Sequence, residues 1–178
     1  MPENVLEKED TPSIWERTVL RTYLVTSLVY PLWLAGIWLA PYLKSHSSRW
    51  ASLVYALYAP VCHQVAGRSF FCFGQPLAVC ARCSGIYVGF LLGLGVFPWL
   101  RKKGRLSLPS ARVFLLVSAP IVLDTAANFL KVWSTPSVIR LVTGLLWGAI
   151  LPFYFIPGVT DLFVTRRKNR LKSLPASP

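Results

Sequence analysis

Charged side chains are scarce in this sequence, and acidic ones are the scarcest. Only 15% of its 178 residues are charged, with 7 Asp and Glu against 19 Lys and Arg, whereas 54% are hydrophobic. A soluble domain of this length carries more charge, so the composition excludes that class and indicates a membrane protein. The shortage of acidic residues leaves a formal net charge of +12 at pH 7.

Three further features are missing. The N-terminal region is acidic rather than basic and so lacks the start of a secretory signal, and we expect the first apolar helix to be retained. No internal repeat or low-complexity segment occurs. The basic residues form no continuous tract but stand in clumps between apolar runs, the largest being RKKGR (101–105) and RRKNRLK (166–172). Such clumps indicate membrane anchoring and contact with anionic lipid headgroups, and argue against nucleic-acid binding.

The long apolar runs predict an all-α integral membrane protein with four transmembrane helices. A run of about 20 apolar residues crosses roughly 30 Å of hydrocarbon. The run at 50–60 is too short to cross, so it predicts a re-entrant or interfacial helix before a cysteine-containing loop at 61–82. The expected spans are 18–43, 83–100, 110–130 and 137–164, in one membrane domain (18–165) flanked by cytoplasmic tails at 1–17 and 166–178.

The distribution of Lys and Arg predicts the orientation of these spans. Four spans place both termini on one side of the membrane, and 13 of the 19 basic residues then lie on that side, including both basic clumps. The positive-inside rule makes that side the cytoplasm. We therefore expect a multi-pass protein of the cell membrane with the cysteine loop at its outer face. The assignment depends on residues 50–60 not crossing the bilayer.

Glycines at intervals of four mark one face of the second span. Gly85, Gly89 and Gly93 form a stripe of small residues, which permits close helix packing. We favour packing inside the monomer over dimerisation, and the sequence leaves the oligomeric state open.

All four cysteines lie within residues 62–83, with Cys80 and Cys83 forming a C-x-x-C pair at the start of a span. Two thiols at this spacing chelate one metal or close a reducible disulfide. Cys62 and His63 lie upstream, and Cys62, Cys80 and Cys83 with either His63 or Cys72 would form a tetrahedral site of the kind that zinc prefers. The set that we expect is Cys62, His63, Cys80 and Cys83. We favour this metal site.

Two alternatives use the same atoms. In a membrane thiol oxidoreductase, Cys80 and Cys83 would be the catalytic pair, Cys62 and Cys72 a loop pair that exchanges with it, and a quinone the electron acceptor. This plan is known from small four-helix oxidoreductases and fits an outer-face location. In the second alternative the cysteines are purely structural, and the protein is a non-catalytic binding or transporter-like module. No turnover reaction follows from the sequence.

Several other polar residues are expected at the same depth. Asp124 lies inside the third span, where a charge is costly, so we expect it to pair with an arginine. Asn128 lies one helical turn further on the same face. These residues would surround the metal or form a pocket for an anionic ligand. The full set is Arg68, Ser69, Arg82, Tyr87, Asp124, Asn128 and Arg140.

The motifs CHQ, RSF and CARCSGIYVG, with Asp124, Asn128 and the RLVTG segment beginning at Arg140, resemble a family of uncharacterised prokaryotic multi-spanning membrane proteins, a domain of unknown function. The resemblance covers about residues 50–150. It implies a small helical membrane protein with a Cys/His/Arg motif at its outer face, and it implies no activity. The family tends to have Gly and Gln after the aspartate, where this chain has Thr125 and Ala126.

Overall fold

The computed structural model describes residues 5–100, 110–130, 132 and 134–172. The basic loop 101–105 and Lys131 lie outside these residues, as do segments 1–4 and 173–178. The described chain is predominantly helical. Its α-helices are α1 (Val5–Ser45), α2 (Trp50–Tyr58), α3 (Ala81–Leu100), α4 (Ala111–Phe129), α5 (Ser137–Ile150) and α6 (Pro152–Lys172).

Four described segments are long and apolar enough to cross a membrane, which confirms the predicted fold class. They are Ile14–Ser45, Ala81–Leu100, Ala111–Phe129 and Ser137–Arg167. Two details of the helices are finer than the expected spans. α1 extends from Val5 to Ser45 and passes Pro31 without interruption. The fourth segment is divided at Leu151, because Pro152 has no N–H to continue the hydrogen-bond ladder and instead begins α6.

The outward faces of the spans are apolar and exposed. On α1, Leu28 is 73% and Leu32 is 74% exposed, and on α4, Leu116 is 73% exposed. α4 lies wholly among the described residues, and none of its residues is buried. A soluble monomer does not present apolar patches of this extent, so these faces are suited to contact with lipid chains.

Two parallel helices, α3 and α5, form the most closely packed pair in the molecule. A Cβ added at Gly85 or Gly89 of α3 would overlap the backbone carbonyl oxygen of Leu141 or Leu145 in α5. The fit is reciprocal, since a Cβ at Gly148 of α5 would overlap a backbone oxygen of α3. The glycine stripe therefore serves packing within the monomer, as expected, and removes the side chains that would hold the two backbones apart.

Two apolar clusters connect the remaining elements. One joins α1, α3 and α6 through Val19, Phe90, Leu94, Phe97 and Ile156, all of which are buried. The other lies where α2 and the cysteine loop meet α1. There the Tyr58 hydroxyl donates a 2.5 Å hydrogen bond to the Trp33 carbonyl, passing over Gly36, where a Cβ would collide with it. The α2 helix is thereby held against the first span.

The cysteine loop is more ordered than its glycines and proline suggest. It contains a 3₁₀ turn at Ala66–Arg68 and an antiparallel hairpin of strands β1 (Phe71–Cys72) and β2 (Gln75–Pro76). The two residues of the hairpin turn, Phe73 and Gly74, both have positive φ, as two-residue hairpin turns require. The loop packs against α1 as well as the later spans, because Leu77, Ala78 and Val79 are buried in the cluster around Tyr58.

Candidate functional site

Three of the four cysteines converge where the loop enters α3. The Sγ atoms of Cys62, Cys80 and Cys83 lie within 4.8 Å of one another. Cys62 is buried, whereas Cys80 and Cys83 are partly exposed, and all three thiols are free. The C-x-x-C spacing explains how two of them meet, because a helix that begins at Ala81 places Cys83 just above Cys80. Cys62 is brought to them by the folding of the loop.

Hydrogen bonds orient the sulfur atoms. The backbone N–H of Cys80 donates to Sγ of Cys62 at 3.2 Å. Side-chain hydrogen bonds from Cys62 and then Cys83 lower the pKa of the Cys80 thiol well below its usual range. Partial burial opposes this effect, and the backbone N–H groups of Cys83 and Arg82 reinforce it. Cys80 therefore favours the thiolate, the form of cysteine that binds metals and attacks disulfides.

The other two predicted sulfur and nitrogen ligands lie elsewhere. His63 is exposed and is not part of the cysteine cluster, although it follows Cys62 directly. Cys72 lies in β1, partly buried, and is also outside the cluster. The predicted ligands are close to one another in sequence. The loop backbone, however, turns only the Cys62 side chain toward the cluster and leaves His63 exposed.

Asp124 is the centre of a polar network that joins the start of α3, the end of α4 and the start of α5. Its Oδ2 forms an ion pair with Nη2 of Arg82, which supplies the expected arginine partner. Its Oδ1 accepts a hydrogen bond from the Thr135 hydroxyl. Asn128 donates to the Asp124 carbonyl at 2.7 Å and to Thr135 Oγ1 at 2.6 Å. The Asp124 carboxylate and the side chains of Asn128 and Thr135 thus satisfy one another in this part of the membrane domain.

Arg140 extends the network to α5. This side chain is buried, with 8% exposure, and its Nη2 donates to Oδ1 of Asn128 at 2.6 Å. Its Nε atom is buried and has no hydrogen-bond partner among the described residues. Sequence reasoning placed Arg140 and Asn128 at the same depth but missed Thr135. The sequence feature that could have indicated Thr135 is its position in the short polar segment 134–137, which joins two spans at this depth.

The remaining predicted residues take different positions. Arg68 is exposed and lines a cavity of about 540 Å³ together with Arg140. Ser69 is buried, and its hydroxyl donates to the Val65 carbonyl at 3.0 Å, a local loop contact. Tyr87 packs against the apolar cluster that contains Cys62, and its carbonyl accepts a hydrogen bond from Tyr30.

The two positions at which the sequence departs from the resembled family do not contribute to the network. Thr125 and Ala126 are both exposed on α4. The Thr125 hydroxyl donates within its own helix, to the Ile121 carbonyl at 2.6 Å. Their replacement therefore leaves the contacts of Asp124 intact.

Comparison with known proteins agrees with the fold and adds no activity. A family model described as "Predicted membrane protein (DUF2085)" matches residues 62–154, the segment that holds the cysteine cluster and the Asp124 network. An uncharacterized protein of Methanocaldococcus jannaschii is 33% identical over 141 residues, which cover 76% of this chain and 90% of that protein. No solved structure matches the chain. The chain therefore belongs to the DUF2085 family of predicted membrane proteins.

Proposed function

We propose that this membrane protein binds a transition metal, zinc in the first instance, through Cys62, Cys80 and Cys83. The observation that carries the proposal is the mutual approach of their Sγ atoms to within 4.8 Å. Three thiolates around a tetrahedral zinc, each at about 2.3 Å, are separated by about 3.8 Å. Small side-chain movements would therefore close the cluster on an ion.

The donor set suits this chemistry. Thiolates are soft ligands that select zinc and similar ions over calcium or magnesium. Cys80 favours the thiolate because of its hydrogen bonds. The hydrogen bond from the Cys80 N–H to Cys62 Sγ would orient that ligand, as hydrogen bonds to the ligands do in other metal sites.

A three-cysteine set leaves the fourth position of a tetrahedral ion open. Structural zinc sites have four protein ligands, whereas sites with three protein ligands hold water or another molecule at the fourth position. The exposed position of His63 favours the second arrangement. Three thiolates on a divalent ion carry a net negative charge, and Arg140 lies close enough to Cys80 to interact with it electrostatically.

The metal content of the purified full-length protein tests this proposal. We expect about one zinc per chain in protein prepared without chelators, and loss of that metal in Cys83→Ser and Cys62→Ser. Cys72→Ser is the matched control, since Cys72 lies outside the cluster, and it should retain the metal. Folded protein that contains no zinc, iron or copper would contradict the proposal, as would equal loss in the Cys72 variant.

The second candidate function is thiol–disulfide exchange, which the lowered pKa of Cys80 favours. Oxidation of the Cys80 and Cys83 thiols to a disulfide would release two electrons and two protons, which a membrane quinone would take up to become a quinol. The structure brings Cys62 rather than the pair Cys62 and Cys72 to this site. This function predicts a Cys80–Cys83 disulfide in aerobically purified protein that a reductant opens, and free thiols would contradict it.

The same proposal includes an orientation. We infer that the termini face the cytoplasm, where the basic clumps contact anionic lipid headgroups, and that the cysteine cluster lies at the outer face. The even number of candidate spans and the distribution of Lys and Arg support this orientation.

A further inference from the structure

A cavity of about 540 Å³ lies between the cysteine loop, the end of α4 and the start of α5. Polar side chains from three separate segments contribute to its lining. From the loop it receives Arg68, from α4 Asn128, and from the α4–α5 connection and the start of α5 it receives Thr135, Ser137 and Arg140.

The charges around this cavity are unbalanced. Arg68 and Arg82 both lie close enough to Arg140 for their positive charges to repel it, whereas Asp124 and Cys80 supply the opposing negative charges. Asp124 is already bound by Arg82, the one ion pair among the described residues. Arg140 is therefore left with a neutral partner, Asn128, and a buried Nε without a partner. A buried guanidinium in this state is costly unless an anion approaches it.

The backbone at the cavity also favours an anion. The helix α5 begins at Ser137 and has no side-chain cap at its N-terminus, so its first N–H groups are not satisfied by a capping side chain. Helix N-termini attract phosphate and carboxylate groups through these N–H groups and the helix dipole. The guanidinium of Arg140 lies one turn further along the same helix, lining the same cavity.

The surroundings of the cavity indicate the kind of molecule that carries the anion. Apolar side chains at the end of α4 and the start of α5 are strongly exposed, with Phe129 at 86%, Leu130 at 68% and Val138 at 65%. Phe129 ends one candidate span and Val138 lies at the start of another, so these side chains flank in sequence the residues that line the cavity. An amphiphile with a phosphate head and apolar chains matches both the polar groups of the cavity and these exposed apolar side chains.

We propose that the cavity binds the phosphate group of an anionic phospholipid, held by Arg68, Arg140 and the N-terminus of α5. The shared chemistry is that of a phosphate oxyanion, which the planar fork of arginine recognises through paired hydrogen bonds. The exposed apolar side chains at the ends of α4 and α5 favour the lipid over free phosphate as its source. The cavity is lined by none of the three clustered cysteines, so lipid binding here is measured separately from metal binding there.

The test measures binding of dioleoylphosphatidylglycerol to the full-length protein in dodecyl maltoside, by native mass spectrometry across a lipid titration. We expect Arg68→Gln to weaken this binding about tenfold, the loss of one charge-assisted contact. Arg49→Gln removes an equally exposed arginine that does not line the cavity, and it should bind as the unmodified protein does. Neither substitution should change the metal content.

Two further arms decide the source of the phosphate. Dioleoylphosphatidylcholine tests whether net negative charge is needed, and millimolar inorganic phosphate tests whether the apolar chains contribute. Weaker binding of phosphatidylcholine and poor competition by phosphate support the proposal. Equal weakening by the Arg68 and Arg49 substitutions, or full competition by phosphate alone, would overturn it. Because Arg68 is exposed, its variant should fold. Arg140→Lys, with its folding checked by size-exclusion chromatography, provides a second measurement of lipid binding.

Discussion

At the scale of single residues, both proposed functions depend on Cys80. It is the residue before α3 begins, so its sulfur lies beside the first N–H groups of the helix and beside two other thiols. Hydrogen bonds from those thiols, led by Cys62, lower its pKa. One position therefore provides both a good metal ligand and a good nucleophile.

The lowered pKa predicts an unusual dependence of alkylation on pH. A free thiol, with a pKa of about 8.5, reacts with iodoacetamide progressively more slowly as the pH falls from 9 to 6. Because the pKa of Cys80 is lowered, its thiolate persists through this range, and we expect its alkylation rate in metal-free protein to change little. Peptide mass spectrometry after timed alkylation gives the rate at Cys80.

The control is Cys62→Ala, which removes the hydrogen bond that lowers the pKa of Cys80 the most and should restore part of the ordinary rise in rate with pH. A Cys80 rate that falls tenfold per pH unit below 8 in the unmodified protein would contradict the lowered pKa.

At this scale, the sequence predicted side-chain contacts where the spacing or position of the residues alone determines them. Cys80 and Cys83 meet because helical periodicity requires it, and Asp124 required an arginine because it lies within a span. His63 was misplaced as a neighbour of the cluster because adjacent residues point in different directions, and the loop backbone decides which one faces inward. Thr135 was missed because its role depends on how the chain turns between α4 and α5.

At the scale of helices, the glycine faces of α3 and α5 position the site. Their close contact fixes the start of α3, which carries Arg82 and Cys83 and directly follows Cys80, against the start of α5, which carries Arg140. The glycine stripe on α3 could be predicted from the sequence. Its packing against α5 could not, because the pairing of helices depends on the assembled bundle.

The close contact predicts that Gly89→Ala destabilises the protein. The added Cβ would overlap the backbone oxygen of Leu145, and backbone atoms have no rotamer by which to move aside. Overpacking of this kind costs about 1–3 kcal/mol, which should lower the thermal unfolding midpoint in a fixed detergent. Gly95→Ala, on the same helix but with open space at its Cβ, should have no such effect. Equal midpoints for the two variants would contradict the described packing.

At the scale of the whole molecule, the cysteine loop and the spans bring thiol and polar side chains together at one end of the helices. The cysteine loop supplies Cys62, Arg68 and Cys80, and the spans supply Cys83 and the Asp124 network. The scarcity of charged residues and the length of the apolar runs were together enough to predict a helical membrane protein. The packing of the loop onto α1 could not be predicted, because it depends on contacts distant in sequence.

The proposed orientation predicts the behaviour of reporter fusions in a bacterial host. A fluorescent protein fused after residue 178 should fluoresce, since it would remain in the cytoplasm. Alkaline phosphatase fused after residue 134, in the connection between α4 and α5, should be active because it would be exported. Activity of the phosphatase at residue 178 and its absence at residue 134 would reverse the orientation and place the cysteine cluster in the cytoplasm.

The central claim is that three cysteines form a metal site, and X-ray absorption spectroscopy at the zinc edge tests it most directly. We predict three sulfur scatterers at about 2.3 Å and one lighter atom at about 2.0–2.1 Å around zinc in the purified protein. The Cys72→Ser variant should give the same spectrum, because Cys72 lies outside the cluster. A first coordination sphere of nitrogen and oxygen alone, or of four sulfur atoms, would contradict the account.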